Sequence, residues 1–166
     1  MWIRLVSLVA RLGLAGVWLV SGWMKVADPT QTTVAVGAYQ LLPDDFVEPV
    51  ANALPFVEIG VGLFLLIGLG VRIAAAASAV LLLVLIGAVA SAWARGLSID
   101  CGCFGGGGHD ASVNGWDYAR EILRDIGFLA LAAWLTIFPR SPFAMGPGSR
   151  PLEAEPAAVS EDSLAK

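Results

Sequence analysis

Little in this chain is charged, and very little is chemically reactive. Asp, Glu, Lys and Arg together make up 14% of the residues, whereas 57% are apolar. There are two cysteines and one histidine in 166 residues. No block of basic residues is present, which excludes an electrostatic footprint for nucleic acid. The net charge is −4, and acid gathers at Asp44, Asp45 and Glu48 and again at Glu153, Glu155, Glu161 and Asp162. No nucleotide, flavin or haem motif occurs. Two cysteines one residue apart, Cys101 and Cys103, make one site and not a disulfide framework. So apolar a composition suits a chain whose solvent is lipid.

Four apolar runs are present, and a helix of about 20 residues crosses a bilayer. The first covers residues 3–24, broken by Arg4 and Arg11; at 1.5 Å per residue it reaches roughly 33 Å. Its stretch 12–20 resembles the apolar part of a signal peptide. However, Ser21-Gly22-Trp23-Met24 is a poor cleavage site and Lys25 follows at once, so the run is read as a retained span. Residues 25–49 read as a polar loop, with Asp28-Pro29 ending the first helix and a short interfacial helix over 33–41. The second run, 50–70, contains Pro55 and Glu58. The third, 73–94, follows after Val71 and Arg72 and forms a tight antiparallel hairpin with it. The fourth, 118–138, stops at Pro139. The expectation is an all-α, integral membrane four-helix bundle over residues 1–140, followed by a disordered cytoplasmic tail over 141–166. Close helix seams are expected at Gly13, Gly16, Gly60, Gly62 and Ala74 to Ala77. The tryptophans 18, 23, 93, 116 and 134 read mostly as interfacial anchors at span ends.

Positive residues mark cytoplasmic loops. With both termini in the cytoplasm, Arg4, Arg72 and Arg140 lie inside, and the acidic loop and the cysteine loop lie outside. Lys25 and Arg95 stand against this. Cys101 and Cys103 then face a compartment in which disulfides persist.

Ile99-Asp100-Cys101-Gly102-Cys103-Phe104-Gly105 carries the chemistry. Two thiols flanking one glycine can close a small, strained disulfide, and strain favours a labile, exchange-competent bond. The four glycines 105–108 leave the surroundings open to a partner's thiolate. Rival readings are a pair of inert loop cysteines, or a metal site drawing on Cys101, Cys103, His109 and Asp110, whose spacing matches no usual zinc pattern. His109 can deprotonate a thiol, or it can be a solvated loop residue. Charges also fall inside the apolar runs: Arg11, Glu58, Arg120, Glu121, Arg124 and Asp125. Glu58 and Asp125 would lie roughly 10–12 Å below the outer surface, with Lys25 on the same side. Arg120 and Arg124 are placed on one helix face at i, i+4. The expected polar cluster under the cysteine loop either moves protons or binds a quinone head group, or it is an ion-paired network that fixes register. Arg11, nearer the inner side, reads as a snorkelling side chain.

Arg11-Leu12-Gly13 and Ser21-Gly22-Trp23-Met24-Lys25 resemble the first helix of the DoxX-like superfamily. Leu42-Pro43 and Leu54-Pro55-Phe56-Val57-Glu58 resemble its second. Asp100-Cys101-Gly102-Cys103-Phe104-Gly105, with Leu123-Arg124-Asp125 after it, is similar to the MauE branch of methylamine-utilisation and redox-associated membrane proteins. The resemblance covers roughly residues 4–138. It implies a four-helix membrane bundle associated with disulfide formation in extracytoplasmic proteins, in the founding member with maturation of the disulfide-rich subunit of methylamine dehydrogenase. It also implies a thioredoxin-fold partner, with Cys101 and Cys103 as the redox pair. Arg11, Lys25, Glu58, Arg124 and Asp125 fall on family positions without an assigned role. The functional expectation is a membrane thiol–disulfide oxidoreductase, with a non-enzymatic anchor or assembly subunit as the alternative. One pair cannot relay electrons across the bilayer by itself, so a quinone or a second protein must complete the cycle.

Overall fold

The computed structural model describes residues 2–102, 106–141 and 144–145. Its helices are α1 (Trp2–Ala27), α2 (Pro29–Ala38), α3 (Asp44–Ile67), α4 (Val71–Ala94) and α5 (Gly115–Ile137). Between α4 and α5, β1 (Ile99–Asp100) pairs antiparallel with β2 (Gly108–His109), with Ile99 opposite His109 and Asp100 opposite Gly108. This small ribbon was not expected from the sequence. The tail beyond Met145, Cys103 and Phe104-Gly105 lie outside the described residues.

Local chemistry sets the element ends. Asp28 caps α2 by accepting from the Gln31 amide at 2.9 Å, and Pro29 supplies the preset φ of a first helical residue. Helix α3 begins at Asp44 and not at Val50, so Asp44, Asp45 and Glu48 belong to a helix, not a loop. The acids in its first turn oppose the positive end of the helix dipole. Pro49 lies within the helix and forgoes one hydrogen bond near its solvated end. The α3–α4 turn needs left-handed backbone at Gly68 (φ 77°) and Gly70 (φ 58°), where the amides of Gly68 and Leu69 both return to the Phe64 carbonyl at 3.0 Å. Asn114 and Asp117 form a reciprocal capping box at the start of α5.

Burial follows helical periodicity. In α1 the buried stripe is Ser7, Ala10, Arg11, Leu14, Ala15, Trp18, Ser21 and Gly22; in α3 it is Ala51, Pro55, Glu58, Gly62 and Leu65. These stripes face each other. Helix α1 packs along α3 and α4 along α5, while α3 and α4 share much less. The seam between α1 and α3 is closed by absent side chains: a Cβ at Gly22 would lie 2.7 Å from Ile59 Cγ1, and one at Gly62 would lie 2.9 Å from Leu19 Cγ. Gly13, Gly16 and Gly60 meet nothing within 4 Å and are not seam residues, contrary to expectation. Ala74 and Ala75 are in the core with Leu14, Leu65, Leu82 and Leu135. Trp18 is also a core residue, donating from Nε1 to Ser78 Oγ at 2.9 Å, rather than an interfacial anchor.

The outward faces of α1, α3 and α4 are mainly apolar: Val9, Phe56, Ile73 and Val84 are each exposed. Such surfaces would be costly in water and are at home in lipid. Helices α1, α3 and α4 are long and apolar enough to cross a membrane. Helix α5 matches them in length, with 23 residues, but carries Asp117, Arg120, Glu121, Arg124 and Asp125 in its first half. At one end of the bundle, Ser7 donates to the Phe138 carbonyl at 2.9 Å and Arg72 to that of Thr136 at 2.9 Å. This end therefore gathers the starts of α1 and α4 and the finish of α5. The opposite end carries Lys25, α2 and the β1–β2 ribbon.

Candidate functional site

Both tyrosines of the chain grip the backbone around Cys101. Tyr118 Oη accepts from the Ile99 amide at 3.0 Å, and Tyr39 Oη donates to the Cys101 carbonyl at 3.1 Å. Tyr39, Val89, Ala92, Ile99 and Tyr118 form a small core that seats the ribbon on the bundle. Burial, followed by the negative charges of Glu121, Asp100 and Asp125, holds the Tyr39 phenol well above its ordinary pKa, so it remains a donor. Sequence reasoning missed Tyr39. Its one signal was position: it continues the stripe Thr32, Ala35, Tyr39 along α2 at helical spacing.

Cys101 is half-buried and disulfide-bonded. Its expected partner, Cys103, lies outside the described residues. Gly102 and Gly107 do not sit in the open loop expected from composition. Gly102 (φ 70°) and Gly107 (φ 105°) press on α2 so closely that a Cβ on either would lie 2.8 Å and 2.6 Å from Ala35 Cβ. The Asp100 carboxylate accepts from the Gly107 amide at 3.2 Å, and Gln31 Nε2 donates to the Gly107 carbonyl. The loop is thus built against α2, with Cys101 held by its own carbonyl.

Below Cys101 lies a cavity of about 370 Å³. All four long helices and α2 contribute to its walls, which are mainly aliphatic. Four of the charged residues singled out in the sequence line it: Lys25, Glu58, Arg124 and Asp125. Lys25 Nζ lies 2.9 Å from Glu58 Oε1 and 3.0 Å from Oε2, and it donates to Ser21 Oγ at 2.6 Å. Ser21 in turn donates to Glu58 Oε2 at 3.1 Å. Arg124 bridges Asp125 at 2.9 Å and Glu121 at 3.0 Å. Asp125 is 1% exposed, and its Oδ2 is buried without a hydrogen-bond partner among the described residues.

The remaining candidates are placed elsewhere. Arg120 does not share the inward face of Arg124: it turns to the surface and meets Asp117 at 3.3 Å. Arg120 and Glu121 line a second, smaller recess of about 220 Å³ with Asp100, Cys101 and Tyr118, so Cys101 forms part of both. His109 is exposed on β2 and lines neither cavity. Asp110 is fully exposed; hydrogen bonds from the Ser112 hydroxyl and amide hold its carboxyl below the usual range. Among the described residues no three His, Cys, Asp or Glu side chains gather as metal ligands. Arg11 does not snorkel. It is 2% exposed, its side chain turns into the bundle towards Gly68, and Nε and Nη1 have no hydrogen-bond partner among the described residues.

Three bilayer-length apolar helices, a lipid-compatible exterior and buried ion pairs define a multi-pass helical membrane protein. Residues 3–138 match the family model described as methylamine utilisation protein MauE, and the chain belongs to that family. No curated protein and no solved structure matches it.

Proposed function

We propose that this protein is a membrane thiol–disulfide oxidoreductase whose redox pair is Cys101 and Cys103. The observation that carries the reading is the seat of Cys101: a disulfide-bonded cysteine at the junction of a surface recess and a buried, ion-paired cavity. A partner thiolate attacks one sulfur of the pair, forming a mixed disulfide and releasing the other sulfur as a thiolate. The partner's second thiolate then resolves the adduct. The partner dithiol becomes a disulfide, and Cys101 and Cys103 leave as two thiols carrying its two electrons and two protons. The partner is an extracytoplasmic thioredoxin-fold protein, as the family resemblance implies. The family name ties it to methylamine utilisation, while the exchange itself requires no particular pathway.

In this reading α5 is the fourth span, residues 1–140 form the membrane domain, and both termini face the cytoplasm. Support comes from one of the two cations that stood against this orientation. Lys25 is paired with Glu58, so it is not a free loop charge of the kind that sets topology. Arg95, exposed and hydrogen-bonded to the neutral carbonyls of Tyr39 and Gln40, keeps its charge and still counts on the other side.

The test is trapping. Cells carrying Cys101→Ser or Cys103→Ser are acid-quenched and blocked with a membrane-impermeant maleimide, then run on a non-reducing gel. A mixed disulfide with an extracytoplasmic protein is expected in one single variant. Full activity in the double serine variant sinks the proposal. The pinning of the cysteine loop by Tyr39, Tyr118 and Gln31 favours a second reading, an anchor or assembly subunit with a structural disulfide. That reading expects partner co-purification unchanged when both cysteines are replaced.

A further inference from the structure

The cavity below Cys101 is larger than helix packing requires, and its polarity is concentrated in a few groups. We propose that it binds a lipid-soluble quinone, which reoxidises the cysteine pair; this rests on the redox reading above. The volume of about 370 Å³ falls within the range of ligand pockets. Leu54, Leu81, Leu82, Leu85 and Phe128 supply apolar walls for a ring and the first part of an isoprenoid tail. Leu41, Leu42, Val50 and Val84 line the cavity and are also exposed, so it opens sideways between α3 and α4, onto the apolar exterior. A tail can leave there into lipid.

The polar groups argue against a phospholipid acyl chain as occupant. A buried carboxylate oxygen without a partner is costly, and an acyl chain offers it nothing. A quinone offers both partners it can use. Ionised, Asp125 accepts from a hydroquinone hydroxyl; protonated, it donates to a quinone carbonyl. Lys25, held by Ser21 and Glu58, sits on the same cavity as a second proton-bearing group. The reaction balances without another reagent. Two S–H bonds break, one S–S bond forms between Cys101 and Cys103, and two electrons and two protons pass to the quinone oxygens, giving the hydroquinone.

The experiment uses the full-length protein in nanodiscs, reduced with a dithiol and freed of excess reductant. Decylubiquinone and menadione serve as probes, and their reduction is followed by ultraviolet absorbance alongside disulfide formation. One quinone reduced per disulfide formed is expected, with quenching of Trp18, which lines the cavity. Asp125→Asn should slow reduction and weaken quenching about tenfold, the equivalent of one hydrogen bond to a charged group. Asp125→Asn is at risk of misfolding, so Val84→Phe at the lipid-exposed mouth, which adds no tryptophan to the readout, obstructs entry and should weaken quenching as well. Unaltered quenching in a folded Val84→Phe variant overturns the site. So does quenching by brominated phospholipid that quinone cannot displace, which would mark the cavity as an acyl-chain groove. Exchange with a reduced thioredoxin-fold partner is measured on wild-type protein from the same preparation before it is reduced, with its disulfide intact. If exchange proceeds but no quinone is reduced, the quinone inference fails alone; if exchange also fails, the oxidoreductase reading fails with it.

Discussion

Replacing Lys25 with methionine removes one partner of an ion pair whose side chains are 11% and 6% exposed. Methionine fills the same volume, so the change isolates charge from packing. Among the described residues, Glu58 would keep the hydrogen bond from Ser21 at 3.1 Å and would be left with an uncompensated charge in an apolar wall. Breaking one side of a buried pair typically costs about 3–5 kcal/mol. Replacing both, as Lys25→Met with Glu58→Leu, removes the stranded charge as well and should return stability to within about 1 kcal/mol of wild type. A coupling energy of at least about 2 kcal/mol follows from the cycle of Lys25→Met, Glu58→Leu and the double variant. The assay is reversible unfolding in mixed micelles of increasing SDS fraction, followed by tryptophan fluorescence. A cost below about 1 kcal/mol for Lys25→Met would refute the argument, because it would mean that Glu58 is solvated and the cavity wet. The double variant also separates structure from chemistry. If the pair only fixes the contact between α1 and α3, restored stability brings restored turnover; if it serves the redox reaction, stability returns and turnover does not.

Tyr39→Phe deletes the donor to the Cys101 carbonyl, at about 1 kcal/mol, and should raise the maleimide reactivity of reduced Cys101. The same phenol gives a signed pH effect: it ionises near pH 10 when unfolded and well above that when folded. Its contribution is therefore complete below about pH 10 and is lost as pH rises further; Tyr39→Phe should flatten the alkaline limb of a stability–pH curve, and an unchanged limb refutes the assignment. Gly62→Val would drive a side chain into Leu19 and should cost about 1–3 kcal/mol, whereas Gly13→Ala, with open space around it, should be neutral or slightly stabilising in the same unfolding assay. In a background with both native cysteines replaced, His109→Cys should label with impermeant maleimide in intact cells and Arg140→Cys should not; the reverse pattern inverts the proposed topology.

The helices were legible because lipid imposes a length and a composition, and the runs around residues 3–24, 50–70 and 73–94 satisfied both. The start of α3 was not, because Pro43, Asp44, Asp45 and Pro49 carry turn chemistry that also describes a helix beginning. The charged side of the cavity was partly legible. Glu58 lies on the stripe Pro55, Glu58, Gly62, Leu65, and Asp125 lies midway between Tyr118 and Ala132, seven residues from each, so helical periodicity puts both carboxylates on buried faces. What could not be read was the seat of Cys101. A run of glycines looks mobile by composition, and only its positive φ values and the contacts with Ala35 reveal a pinned ribbon. Nor did any local signal link Tyr39 to Cys101 across 62 positions.

Helix α5 brings these strands together. Its charge excludes it from the plain pattern of a lipid-facing span, yet that charge is arranged. Asp117 and Arg120 pair at the ribbon end, Glu121, Arg124 and Asp125 pair one turn deeper, and below Asp125 no charged residue follows before Arg140. The opposite face carries exposed Leu123, Ile126 and Ile137. A helix of this kind suits a bundle that has something polar to enclose at one end, since an ion pair facing lipid would cost more than it returns. Were the bundle a simple anchor, apolar residues at 121, 124 and 125 would pack α5 against α4 with no penalty. The polar half of α5 is therefore best explained by the chamber it walls, which on the proposed reading serves the cysteine at its edge.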